Sequence, residues 1–279
     1  MLQMNCINFC ELLFDCNKTD EQWDEVIKQS MELAHYEQCE RIYVGSYFCA
    51  NYFLHLKEEL IQSLDQVCQK KHMKLTLVVP TFTQKDIVMG KKKIKKLSQF
   101  FSSQMDEVTV NDYGMLKFIH DQYKVSLNIG RLLMKDYRDL RYSEYFHQIW
   151  KPKIFTPYFD EILKQYEVSE LEFDPTHEGL NFEKAPSDIE IGLHTPYCYM
   201  TVGHICEYGS IHKDIEHKFR PNDSCQLECK ETMVHYHFHD EHNWIRYGRA
   251  VYFSNPDCKI HGVNRIRTIY FPVDLGVIQ

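Results

Sequence analysis

The feature that most constrains this chain is a regular exchange between two hydrophobic periods. Short β-branched runs that read as buried strands alternate with longer stretches carrying apolar residues on one helical face. That exchange produces parallel strands joined by crossover helices. Eight runs qualify: CINFCELLF (Cys6–Phe14), RIYVGS from Arg41, KLTLVVP ending at Pro80, EVTVND ending at Asp112, VSLNIG ending at Gly130, SELEFD, DIEIGLHT and NRIRTIYFP. The helix after the first strand takes Thr19 or Asp20 as its cap and places Trp23, Val26, Ile27 and Met31 on one face. A long helix through Leu54, Leu60, Ile61 and Leu64 is expected after the second strand, and KIFTPYFDEILKQY carries another. Eight βα units predict an α/β fold, a TIM-barrel-like (β/α)8 domain over residues 1–279. Segments 136–150 and 233–253 follow neither period and are expected to add antiparallel strands outside the barrel. Residues 195–257 then form a cysteine- and histidine-rich C-terminal excursion from it.

The chain of 279 residues contains no uncharged apolar run long enough to span a bilayer, and its N-terminus lacks the basic start and cleavage site of a signal peptide. A cytoplasmic protein is expected. In that compartment thiols stay reduced, so 11 cysteines, an odd number, argue against a disulfide framework and leave metal ligation or burial as their uses. A net charge of -8 argues against a dedicated nucleic-acid binder.

The cysteines concentrate late. Cys225 and Cys229 stand in a C-x3-C pair within RPNDSCQLEC, where Pro221, Asn222 and Asp223 favour a turn that leaves both thiols on irregular backbone. Cys206 lies a loop's length upstream. Three thiolates from one excursion and a fourth from elsewhere satisfy a four-thiolate iron-sulfur cluster. The competing reading is that these cysteines are small buried hydrophobes. In a parallel barrel, functional groups gather on the loops after the strands. Cys49 follows the second strand, Asn111 and Asp112 end the fourth, Arg131 follows the fifth, and Cys198 and Cys206 follow the seventh, so all are expected at one mouth. Asn111, Asp112 and Arg131 are a candidate substrate-binding set, although an Asn-Asp-Tyr-Gly turn with a capping aspartate explains the same letters structurally.

Two further clusters carry weaker signals. In MVHYHFHDEH, His235, His237 and His239 alternate, so a strand would set them on one face, with His242 in the following turn. Imidazoles suit zinc, but same-face neighbours on a strand are about 7 Å apart, wide for one ion. A solvated strand or a proton-carrying patch is the alternative. The run Lys91, Lys92, Lys93, Lys95 and Lys96 reads as a solvated helix face, or else as a contact for an anionic substrate or RNA.

The blocks IYVGSYFCANYF, VTVNDYGMLKFI, LNIGRLLMKDYRDLRY, HICEYG, RPNDSCQLEC and GVNRIR together resemble the collagenase-like peptidase family, also called U-thirty-two, and within it the UbiV-like ubiquinone-biosynthesis branch. The resemblance runs from about residue 41 to 267. It implies an iron-sulfur protein of oxygen-independent hydroxylation, with a 4Fe-4S cluster held by Cys49, Cys206, Cys225 and Cys229. It also implies a related heteromeric partner subunit and a substrate that is a quinone precursor or an RNA base. The chain departs from the pattern in two places: Cys198 is a fifth thiol near where other branches place a ligand, and the loop between Cys206 and Cys225 is longer. The family's name offers a peptidase as the alternative, and a non-catalytic partner subunit is a third reading. The chain contains no HExxH, no GxSxG and no persuasive Cys-His-Asn set.

Overall fold

The computed structural model describes residues 2–14, 18–102, 104–134, 144, 147–221, 223–237 and 243–275. Eight parallel strands close a barrel: β1 (Leu2–Asn8), β2 (Arg41–Gly45), β3 (Lys74–Val79), β4 (Met105–Val110), β5 (Ser126–Ile129), β7 (Val168–Phe173), β9 (Glu190–Thr195) and β15 (Arg265–Tyr270). Their order around the barrel is β1-β15-β9-β7-β5-β4-β3-β2, each hydrogen-bonded to the next. All eight expected runs supply a barrel strand. The outer helices are α1 (Asp20–Ala34), α2 (Ala50–His55), α3 (Glu58–Lys71), α4 (Ile87–Leu97), α5 (Tyr113–Gln122) and α6 (Pro157–Gln165).

Local chemistry explains the boundaries. Thr19 and Gln22 form a reciprocal capping box that starts α1, which buries Trp23 and Ile27. Asp112 and Thr156 cap α5 and α6 through their side chains. The long helix expected after β2 is broken in two, because Leu56 adopts an extended ψ of 123° and is itself buried. The first strand lies earlier than its apolar run implies. Beyond Asn8 the chain turns into the barrel mouth, with the Asn8 side chain accepting from Cys10 N at 2.9 Å and Glu11 at a φ of 66°. Phe9, Leu12 and Leu13 are buried there as loop residues.

The barrel interior is polar. In β7, Glu170 and Glu172 point inward while Leu171 and Phe173 pack outward beneath the helices, an alternation fixed by the two-residue period of a strand. Arg267 makes a bidentate pair with Glu107, both bonds 2.7 Å, and also reaches Glu170 at 2.7 Å. Arg41 stands 3.2 Å from the same Glu107. Higher in the barrel, Glu172 accepts from Thr109 at 2.6 Å and lies 2.9 Å from His194.

Between β9 and β15 the chain makes the expected excursion. It contains β10 (Tyr197–Val202), β11 (Val234–Tyr236), β12 (Trp244–Tyr247) and β13 (Ala250–Ser254), paired antiparallel in the order β10-β13-β12-β11. A small separate parallel sheet of β6 (Ile149–Trp150), β8 (Gly179–Asn181) and β14 (Lys259–His261) packs on the main core through Trp150, Leu180 and Ile260. One face of the four-stranded sheet, with Tyr199, Ile245, Tyr247 and Tyr252, joins the main core. Phe48, from the loop after β2, meets that face with ring centroids 5.1 Å from Tyr199 and 5.9 Å from Tyr252. The other face buries Cys198, Trp244 and Phe253 in a separate cluster. Among the described residues, no helix is long and apolar enough to cross a membrane.

Candidate functional site

The loop after β2 begins at Gly45, whose φ of +122° suits glycine and whose Cβ position lies 2.2 Å from Val78 O, so only a hydrogen fits. Ser46 follows and donates its hydroxyl to the buried Glu11 carboxylate. Its oxygen in turn accepts from Cys49 N at 2.7 Å, which fixes the start of α2. Cys49 is the N-cap of that helix, its sulfur accepting from Tyr52 N at 3.4 Å.

The excursion brings the remaining thiols to the same place. Cys206 Sγ accepts from Gly209 N at 3.5 Å, and Ser210 Oγ donates to Cys206 O at 3.1 Å while accepting from Phe219 N at 3.0 Å. Lys213 clamps the far side of the loop through Asp223 at 2.8 Å and Ser224 O at 2.6 Å. Leu227, at a φ of 61°, hydrogen-bonds the Cys225 thiol through its backbone and starts the short turn that carries Cys229. Phe219 also holds a positive φ of 55°. Two non-glycine residues in the left-handed region within one loop are strain of the kind that collects at functional sites. Tyr247 OH donates to Glu11 O at 2.7 Å and so ties the sheet to the barrel loop.

Cys49, Cys206, Cys225 and Cys229 all line one cavity, together with Glu11, Asn51, Tyr52, His204 and Arg249. These are the four positions that the family resemblance singles out. Burial pushes the Cys49 thiol up to about 12, reinforced by the neighbouring Glu11 carboxylate, and raises Cys225 and Cys229 in the same direction. A bound cation reverses that direction, because a coordinating thiol is deprotonated outright. Burial also raises Glu11 above the usual carboxylate range, against the hydrogen bonds from Ser46 and Phe48. Among the described residues, no three His, Cys, Asp or Glu side chains converge as ligands of a single metal ion. A cluster makes a different demand, since each of its four thiolates binds a separate iron and the sulfurs stand farther apart.

Cys198 does not join them. It lies within β10 on the face opposite Tyr197 and Tyr199, packs with Trp244 and Phe253, and donates to Pro175 O at 3.3 Å. The alternation of strand side chains removes it from the cavity.

The three polar residues at the strand ends are occupied by the scaffold. Asn111 is buried, donates to Val79 O at 3.0 Å and accepts from Leu132 N at 3.4 Å. Asp112 caps α5 through Met115 N at 2.7 Å. Arg131 is 1% exposed, forms a forked pair with Asp174, and sits among the rings of Tyr47, Phe48 and Tyr199. His235 and His237 are exposed at β11, while His239 and His242 lie outside the described residues, as does Cys16. Lys91, Lys92, Lys95 and Lys96 are exposed on α4, and Lys93 pairs with Glu58 at 2.6 Å.

Glu11 and Asn51 are among the cavity residues that sequence reasoning passes over. Glu11 hides inside an apolar run read as strand, and Asn51 stands two residues past Cys49 with no pattern of its own. No protein-family model, curated protein or solved structure matches this chain.

Proposed function

We propose that this chain is an iron-sulfur protein of the oxygen-independent hydroxylase type, a UbiV-like member of the collagenase-like peptidase family. It would work with a related partner subunit on a quinone precursor or an RNA base. The observation that carries the reading is the convergence of Cys49, Cys206, Cys225 and Cys229 on one cavity beside the barrel mouth, while the fifth candidate, Cys198, faces away. The donor set fits a 4Fe-4S group: four soft thiols on irregular backbone, with hydrogen-bond donors already aimed at three of the sulfurs.

When bound, such a cluster supplies one-electron transfer. The chain's own residues do the rest. Tyr52 N, Gly209 N and the Asn51 amide orient the sulfurs, and the buried Tyr247 lines the cavity beside them. Glu11 stands at the cavity wall, where burial raises its carboxyl above the usual carboxylate range. No observation among the described residues favours the peptidase reading. The deciding experiment is purification without oxygen, followed by iron and acid-labile sulfide assays and a visible spectrum. Brown protein with thiolate-to-iron charge-transfer absorption is expected. Colourless protein carrying stoichiometric zinc would sink the proposal.

A further inference from the structure

Asn51 lies in the first turn of α2, on the barrel side of the cavity, yet its side chain belongs to the excursion. Its Nδ2 donates to Asp223 O at 2.8 Å and to Cys225 Sγ at 3.6 Å. One amide therefore ties the two halves of the site together, which are 172 residues apart in sequence. The Tyr52 and Gly209 donors to Cys49 and Cys206 are backbone groups, fixed by the local fold. Of the donors to Cys225, Leu227 N belongs to the loop backbone, whereas the Asn51 amide is a side chain that substitution can alter.

Resting on the four-thiolate reading above, we propose that Asn51 is a positioning residue that sets the reduction potential of the cluster through Cys225. When one electron enters, the added negative charge spreads onto the cysteinyl sulfurs. An N–H dipole aimed at one of them stabilises the reduced state more than the oxidised state, and so raises the potential. No bond at Asn51 forms or breaks in the process. The same amide holds Asp223, so the donor keeps its aim while Lys213 clamps the loop beyond it.

The test compares the wild type with Asn51→Ala, Asn51→Asp and Asn51→Gln, loaded without oxygen and titrated with dithionite while the visible absorption is followed. Removing the donor in Asn51→Ala is expected to weaken reduction about tenfold, ~59 mV lower for a one-electron couple. Asn51→Asp, which sets a negative charge beside the sulfur, is expected to fall further, and Asn51→Gln to stay nearest the wild type. Equal potentials in every variant that retains iron would overturn the inference. Loss of iron from all three, with unchanged circular dichroism of the metal-free chain, would also overturn it by showing that Asn51 holds the loop and does not tune the sulfur. Failure of the underlying reading looks different, because the wild type itself would then bind no iron and sulfide.

Discussion

Gly209 and Cys225 touch so closely that a Cβ built on the glycine would lie 2.9 Å from Cys225 Cβ, and 3.8 Å from Cys206 Cβ. The missing side chain is what lets two segments of the excursion turn their thiols to one cavity. Gly209→Ala must push Cys225 outward by a few tenths of an ångström, and Gly209→Val by more, with overpacking worth about 1–3 kcal/mol. Iron per chain is expected to fall in that order, and the thermal midpoint of the metal-free chain to drop by about 2–4 °C for each kcal/mol lost. Wild-type iron content in Gly209→Val would show that this contact does not shape the site.

The four cavity thiols separate cleanly from Cys198. If they hold the proposed cluster, alanine at Cys206, Cys225 or Cys229 is expected to abolish it. Cys49→Ser is the most informative substitution, because serine is a strong N-cap and preserves the start of α2 while removing the soft ligand. Cys198→Ser, changed among Trp244 and Phe253, is expected to keep its iron and lose some stability. Iron lost from Cys198→Ser alone would move the ligand set to the other face of β10.

The barrel was legible because its signal is local. Strands such as KLTLVV and helices with capping threonines declare themselves within a dozen residues. The polar interior was not. Glu170 and Glu172 look like solvent-facing positions of an alternating strand until closure of the barrel encloses that face while the other packs in the core. For Asn111, Asp112 and Arg131 the letters carry two readings at once. Polar residues at strand ends serve caps and turns as readily as ligands, and the folded chain supplies the scaffold partners of all three. The cysteine set needed the family resemblance to single out Cys49. Spacing alone does not show that β10 turns Cys198 away.

Asp174 neutralises a guanidinium that is wholly enclosed by rings and backbone. Asp174→Ala leaves Arg131 charged and unpaired in the interior, which costs about 3–5 kcal/mol. Replacing both, as Arg131→Met with Asp174→Leu, is expected to recover much of that loss, since no bare charge remains. Urea unfolding of the two singles and the double closes the cycle. A loss below about 1 kcal/mol in Asp174→Ala would show that the pair is not buried in solution.

The interior carboxylates give the protein a pH dependence of defined sign. Burial lifts Glu170 to about 8 and Glu172 to about 7, because Arg267 is shared with Glu107 and Glu190 and cannot hold every neighbour ionised. Glu107, which takes the bidentate share of that guanidinium, is held down at about 2. A raised carboxyl binds its proton more tightly in the folded chain, so it contributes stability that is present at low pH and lost as pH rises through the folded value. His194 acts the other way. Burial and Arg131 hold it well below its ordinary value, so its protonation favours the unfolded chain below about 6.5 and offsets part of the carboxyl effect there. Glu107 loses its contribution only as pH falls below about 4.3, where an unfolded glutamate titrates. The uncompensated window is therefore between about pH 6.5 and the Glu170 value of about 8. Across it, unfolding free energy is expected to fall by on the order of 1 kcal/mol per pH unit. Glu170→Gln keeps the shape, removes the proton and should flatten about half of that slope. Urea midpoints at several pH values test this directly, and a stability that rises between pH 6.5 and 8 would mean that Glu170 and Glu172 are ionised in the folded barrel.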